Sequence, residues 1–191
     1  MPINIPIWLT WSRILMIPVF IGIFYLPEDV LGLHQKHILS TILFALASVT
    51  DWLDGYLARY LNQTSSFGAF LDPVADKLMV AAALIVLVNL SYVGAIAAFI
   101  IIGREIAISA LREWMAQLGS SKSVAVSLLG KIKTTFQMLA ILLLLYHEPI
   151  LGISAQETGT IMIYIAVILT LWSMIYYLAL AIPQIRKKTQ S

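Results

Sequence analysis

Cysteine is absent from the 191-residue chain, which excludes disulfide frameworks, thiolate metal sites and cysteine nucleophiles and leaves the redox compartment unreadable. Charge is also scarce. Only 12% of residues are charged, against about a quarter in an ordinary soluble domain. The net charge of +2 is too small to suggest a nucleic-acid partner, so the placement of charges matters more than their sum. What fills the chain instead is apolar: 60% hydrophobic residues and a mean hydropathy of +0.91, for which a membrane is the natural solvent. No lysine or arginine precedes the first apolar run, and no small-residue cleavage site follows it, so the beginning does not read as a cleavable signal. Residues Asn4 to Ser12 mix apolar and polar side chains with Trp8 and Trp11, a pattern that predicts a short N-terminal interfacial helix.

Crossing the hydrocarbon core takes about 20 apolar residues. Six runs qualify, at 10–26, 37–60, 67–89, 92–116, 124–146 and 158–182. Their separators are Pro27-Glu28-Asp29, Asn62 to Ser66, Ser91, Gly119 to Ser123 and His147-Glu148-Pro149. No internal repeat and no long linker interrupts them. The expected fold is therefore an all-α integral membrane protein, six transmembrane helices in one bundle, forming a single domain over 1–191. Lysine and arginine set the orientation. With both termini cytoplasmic, the inner side receives Arg13, Arg59, Lys77, Arg104, Arg112, Lys122, Lys131, Lys133 and Arg186-Lys187-Lys188. The outer side receives Lys36 beside Glu28, Asp29, Glu148 and Glu157.

Charge inside a span is costly and usually faces a partner or a water-filled cavity. Four aspartates sit in the cytoplasmic halves of the second and third spans: Asp51, Asp54, Asp72 and Asp76. At about 100° per residue, Asp51, Asp54 and Ala58 share roughly 60° of one helix, and Gly68, Asp72 and Asp76 roughly 80° of the next. A turn near Thr64 would put each aspartate about 12–20 Å of helical rise away, so antiparallel helices bring the pairs to one level. Gly55, Gly68 and Ala58 remove bulk where backbones or a ligand come close. Four adjacent carboxylates cannot all ionise without cations. Two divalent ions would balance them, and all-oxygen ligation favours magnesium, manganese or calcium over zinc. Such a pair suits phosphoryl or nucleotidyl transfer, in which two metals clamp a diphosphate. The competing reading is a set of protonated or lysine-paired aspartates that only stabilises the bundle. The cost of intramembrane charge weighs against it.

The stretch DWLDGYLARYLNQTSSFGAFLDPVAD reads D-x2-D-G-x2-A-R-x8-G-x3-D-x3-D without a departure. It resembles the signature of the CDP-alcohol phosphatidyltransferases, membrane enzymes that build phospholipid head groups. The segments NIPIWLTWSRILMIP, REIAISALREWMAQLG and SVAVSLLGKIKTTFQM resemble the bacterial branch of that family whose acceptor is glycerol 3-phosphate, so the likeness spans most of residues 4–139. One departure is Ile7, where many relatives carry asparagine; a cytidine or lipid contact from that position is not carried over.

The resemblance implies that Asp51, Asp54, Asp72 and Asp76 ligate two magnesium or manganese ions, and that Asp76 is also the general base. It implies that Gly55, Ala58 and Gly68 make room for the cytidine nucleotide of CDP-diacylglycerol and that Arg59 binds its diphosphate. On its own, Arg59 would read as a positive-inside anchor. A homodimer in the bacterial cytoplasmic membrane, with the active site facing the cytoplasm, also follows from the resemblance.

Arg104 lies about 20 Å of rise inside its span, too deep for comfortable snorkelling, so a buried anionic partner is expected: Glu105, the aspartates or a phosphate. With Arg112, Lys131 and Lys133 it forms a basic set suited to the phosphate of glycerol 3-phosphate. The alternative makes these residues orientation anchors, bridged to Glu105 or Glu113. Two other functions stay open. A sister transferase could use inositol phosphate, serine or phosphatidylglycerol as acceptor, and a divalent-cation transporter could also carry mid-membrane aspartates. The outer halves of the spans lack polar residues and no repeat is present, which disfavours transport. His34, His37 and His147 fall on the outer side, away from the aspartates, and do not read as metal ligands.

Overall fold

The computed structural model describes residues 5–60, 66–117 and 128–189. Among these, six helices follow one another: α1 (Ile5–Tyr25), α2 (Leu33–Tyr60), α3 (Ser66–Asn89), α4 (Ala95–Gln117), α5 (Leu128–Tyr146) and α6 (Ala155–Thr189). Each coincides with one expected run, and the architecture is all-helical apart from a single bridge between Ile150 and Ile153. The separate interfacial helix does not appear. Residues from Ile5 onward are already the first turns of α1, which runs unbroken through Ser12 to Tyr25. Its polar residues explain the difference: Thr10 and Arg13 are buried against the bundle rather than lying at a surface.

Among the described residues two helical stretches, Trp8–Tyr25 and Ala155–Tyr176, are long and apolar enough to cross a membrane by length and composition. The helices between them carry the charged residues of the site described below, apart from Arg13 on α1. The apolar core nevertheless draws on all six, joining Phe20, Phe44, Met79, Leu84, Leu87, Ile101, Ile141, Leu144, Ile163 and Val167. Helix α3 touches α1, α2, α4 and α5, which makes it the centre of the arrangement. The outward faces are apolar as well: Leu15, Val19, Leu46, Ile85, Phe99, Ile161, Ile168 and Trp172 are all exposed. Helices hydrophobic on both faces fit lipid, not water, as the surrounding medium.

The turns are sharply specified. After α3, the Tyr92 and Ser91 amides donate to the Leu87 and Val88 carbonyls at 2.9 and 3.0 Å, with Ser91 left-handed at φ 62. That is a Schellman stop with serine where glycine is usual. Between α5 and α6, Leu151 and Gly152 (φ 51 and 85) form a two-residue reversal closed by paired Ile150 and Ile153 hydrogen bonds. Ser154 then caps α6, accepting from the Glu157 amide at 3.2 Å. At this end of the bundle Tyr92 stacks on His147 with ring centroids 4.0 Å apart and bonds His37 at 3.2 Å, while His34 pairs with Glu148. The turns after α3 and α5 are thereby tied to α2.

Helices α5 and α6 meet over Gly159. A Cβ there would stand 2.8 Å from Leu144 Cγ and 3.2 Å from the Ala140 carbonyl oxygen. Neither neighbour is the free end of a flexible chain. Gly159→Ala should therefore lower stability by about 1–3 kcal/mol despite alanine's better helix propensity. Gly22→Ala, which meets nothing within 4 Å, should be neutral or stabilising. Thermal unfolding of both variants in detergent checks the contrast.

Candidate active site

Away from the histidine end, charge concentrates where α1, α2 and α3 meet. Arg13, 1% exposed, donates from Nη1 to Asp51 Oδ1 at 2.8 Å and so ties α1 to α2. The Asp51 side chain keeps 42% of its surface exposed, enough to meet a second cation from the other side. Arg13 also lines a narrow gap together with Ser48, Asp76, Met79 and Met138. One guanidinium thus borders both the first and the last aspartate of the signature. Helix α3 carries Pro73 between Asp72 and Asp76. Proline has no N–H to give to the preceding turn, so one helical hydrogen bond is missing where the aspartates lie.

On the other side of Asp76 opens a cavity of about 190 Å³, with Asp76, Lys77, Glu105, Thr134 and Gln137 among its lining residues. Its described wall comes from α3, α4 and α5, closed on the apolar side by Val80, Ile102, Ile106 and Met138. Glu105 is the hub of its charges. The carboxylate accepts from Arg104 Nη1 at 3.1 Å and forms a second, shorter ion pair with Lys133 Nζ. Arg104 continues to α6, donating from Nη2 to Ser173 Oγ at 3.0 Å, and Ser173 in turn donates to the Thr170 carbonyl. Arg104 and Lys133 are both buried. Arg104 and Lys133 thus share this one carboxylate, and Lys77 places a further cation on the cavity wall.

Of the expected metal ligands, Asp51 and Asp76 are thus brought together around Arg13, whereas the side chains of Asp54 and Asp72 lie outside the described residues. The backbone is helical through all four positions, as the phase argument requires. The surroundings of Gly55, Ala58 and Gly68 and the side chains of Arg59, Arg112 and Lys131 also lie outside what is described. Among the described residues no group of three or more histidine, aspartate or glutamate side chains forms a metal-binding cluster. What Asp51 and Asp76 offer is oxygen from two different helices, the donor type that suits magnesium or manganese. The histidines, by contrast, are occupied with one another, Tyr92 and Glu148. Of the partners expected for Arg104, the structure supplies Glu105, and the same carboxylate takes Lys133.

Sequence reasoning treated Arg13 only as an inner-side charge, although the depth argument used for Arg104 applies equally to an arginine inside the Trp8–Tyr25 stretch. Lys77 was likewise read only as an inner-side charge, and Thr134 and Gln137 were passed over. Their signal was polarity on an apolar helix: Gln137 lies one turn beyond Lys133, on the same face of α5.

With this geometry in place, the class is plain. The chain belongs to the CDP-alcohol phosphatidyltransferase family, whose profile matches residues 3–172. Among individual relatives, the Haemophilus influenzae protein named CDP-diacylglycerol–glycerol-3-phosphate 3-phosphatidyltransferase is 52% identical over 185 residues, covering 95% of each chain. Proteins of the same name from Sodalis glossinidius and Escherichia coli are 49% and 46% identical, over 93% and 95% of this chain and 94% and 96% of their own.

Removing the Glu105 charge would leave two buried cations facing each other. Glu105→Gln should cost about 3 kcal/mol, the low end for a broken buried pair because the carboxylate borders the cavity. The double variant Glu105→Gln/Lys133→Met should recover most of that loss, since one of the two buried cations is then gone. Unfolding midpoints of the single and double variants decide it; a double variant less stable than the single would contradict the hub.

Proposed function

We propose that this chain transfers the phosphatidyl group of CDP-diacylglycerol to glycerol 3-phosphate, giving phosphatidylglycerol phosphate and CMP. The observation that carries the reading is Asp76: a carboxylate on the wall of a cavity that also carries Lys77 and Glu105, the latter paired with the buried Arg104 and Lys133 behind it. Relatives about half identical over nearly the whole length bear the name of that activity. An anionic acceptor with a free hydroxyl is what such a cavity favours. Serine or free inositol would have no use for the cations there.

The six helices are read as six membrane spans in one domain over 1–191, with both termini and the site on the cytoplasmic side of a bacterial inner membrane. Donor and acceptor then reach the site by different routes, CDP-diacylglycerol from the bilayer and glycerol 3-phosphate from the cytoplasm. Gly55, Ala58 and Gly68 leave room for the cytidine nucleotide, and Arg59 takes its diphosphate. Arg104, Arg112, Lys131 and Lys133 hold the acceptor phosphate, with Glu105 keeping Arg104 and Lys133 in position when no substrate is bound. Two divalent ions on Asp51, Asp54, Asp72 and Asp76 would supply charge neutralisation for the diphosphate. Arg13 holds Asp51 on the α2 side of the site. Asp76 takes the proton as the acceptor hydroxyl oxygen bonds to the β-phosphorus. The bond from that phosphorus to the CMP oxygen breaks, and CMP leaves with the electron pair. The family resemblance further supports a homodimer.

The test is CMP release by purified protein given CDP-diacylglycerol, magnesium or manganese, and a panel of acceptors. Glycerol 3-phosphate should be the acceptor that works; chelation should abolish release and added metal restore it. Asp76→Asn should lower kcat by about 10²–10⁴. Arg104→Ala should raise the acceptor KM well above any change in the donor KM. Release that never exceeds the Asp76→Asn level with any acceptor would sink the enzymatic reading, whereas release with serine or inositol phosphate alone would change only the substrate.

A further inference from the structure

Gln137 has no part in the chemistry assigned above, yet it occupies a demanding position. The residue is 3% exposed, and its Oε1 is buried without a hydrogen-bond partner. It lies on the wall of the 190 Å³ cavity with Asp76, Glu105 and Thr134. A buried amide oxygen left unsatisfied is uncommon in a folded protein; this one has almost no accessible surface of its own, and a half-turn of the amide, which exchanges its oxygen and nitrogen, offers it to the cavity, where a ligand can complete it. Glutamine oxygen has lone pairs and no proton, so the missing partner must be a donor.

Resting on the reaction proposed above, the choice of donor narrows quickly. The acceptor phosphate carries oxygens that accept, and its place is with the cations. The attacking primary hydroxyl gives its proton to Asp76. Glycerol 3-phosphate has one donor left, the secondary hydroxyl on the carbon beside the attacking one. The cytidine nucleotide is a poorer candidate. The signature residues assigned to it lie on α2 and at the start of α3, and α2 contributes nothing to the described wall of this cavity.

We propose that Gln137 is a specificity residue: its Oε1 accepts a hydrogen bond from the secondary hydroxyl of the acceptor and so selects a vicinal diol phosphate. The contact also orients the substrate. With the phosphate held among cations and the middle hydroxyl held by Gln137, the terminal hydroxyl is directed at Asp76, which shares the cavity wall. Discrimination arises because an acceptor without that hydroxyl leaves the buried oxygen unsatisfied in the complex.

The experiment compares glycerol 3-phosphate with 3-hydroxypropyl phosphate, which keeps the phosphate and the attacking hydroxyl but lacks the secondary one. With CDP-diacylglycerol as donor, CMP release by the unaltered protein should favour glycerol 3-phosphate in kcat/KM by about 10- to 100-fold. Gln137→Met keeps the length and removes the acceptor oxygen. In that variant the preference should shrink to within about threefold, through loss on glycerol 3-phosphate and little change on the deoxy analogue. Equal use of both acceptors by the unaltered protein overturns the proposal without recourse to any variant. So does a Gln137→Met variant that slows both by the same factor. No CMP release from either acceptor would instead overturn the reaction itself, and this inference with it.

Discussion

Charge held inside a bundle of apolar helices must be paired, and the ion pair between Arg13 and Asp51 is the point on which the rest of the site turns. Its guanidinium is wholly withdrawn from the surface, while the carboxylate is only half covered. That asymmetry has a consequence. A buried arginine cannot shed its proton, so it holds a carboxylate in place permanently, and the carboxylate keeps an exposed side for other cations. Arg13 also reaches the gap beside Asp76. Helices α1, α2 and α3 are therefore registered against one another by the same group that organises the aspartates. Mispositioning α1 would strand a buried charge, at a cost comparable to a large share of a protein's net stability.

Glu105 solves the same problem differently across the cavity. Here one acid serves two buried bases, one on its own helix and one on α5, and Ser173 extends the network to α6. Lys77 brings a further cation to the wall of the adjoining cavity, where it stands beside Asp76 and Glu105. Carboxylates and cations therefore stand side by side around one cavity, each held in place by a partner on another helix.

Much of this was legible in the sequence because a membrane simplifies the physics. Apolar runs separated by polar breaks mark helices with little ambiguity, and the six runs correspond one for one to the six helices. Helical phase needs only local information, and the backbone is helical at Asp51, Asp54, Asp72 and Asp76 as that reading requires. What was not legible is which helices touch. The partner of Arg13 lies 38 positions away, and Lys133 lies 28 positions from Glu105; nothing in either local pattern selects those pairings. The interfacial helix was misjudged for a related reason. Tryptophans near a terminus look the same whether they lie along an interface or continue into a span, and the burial of Thr10 and Arg13 decides for the second. Gln137 escaped notice because a lone amide in an apolar run carries no charge to flag its cost.

The opposite end of the bundle shows why the site can be polar at all. There Ser91, His147 and Leu151 adopt left-handed backbone conformations that residues other than glycine adopt at some cost. The stacked Tyr92 and His147 and the His37 contact bind these turns to α2. The apolar core, from Phe20 and Phe44 through Leu87 to Leu144, knits the same helices together between the turns and the site. With the bundle secured by packing and by these turns, the charged end is free to keep a cavity, a half-exposed aspartate and an unsatisfied glutamine oxygen, each unfavourable for stability. Those costs fall together around Asp76, where the chemistry proposed for this protein needs substrates, not side chains, to complete the structure.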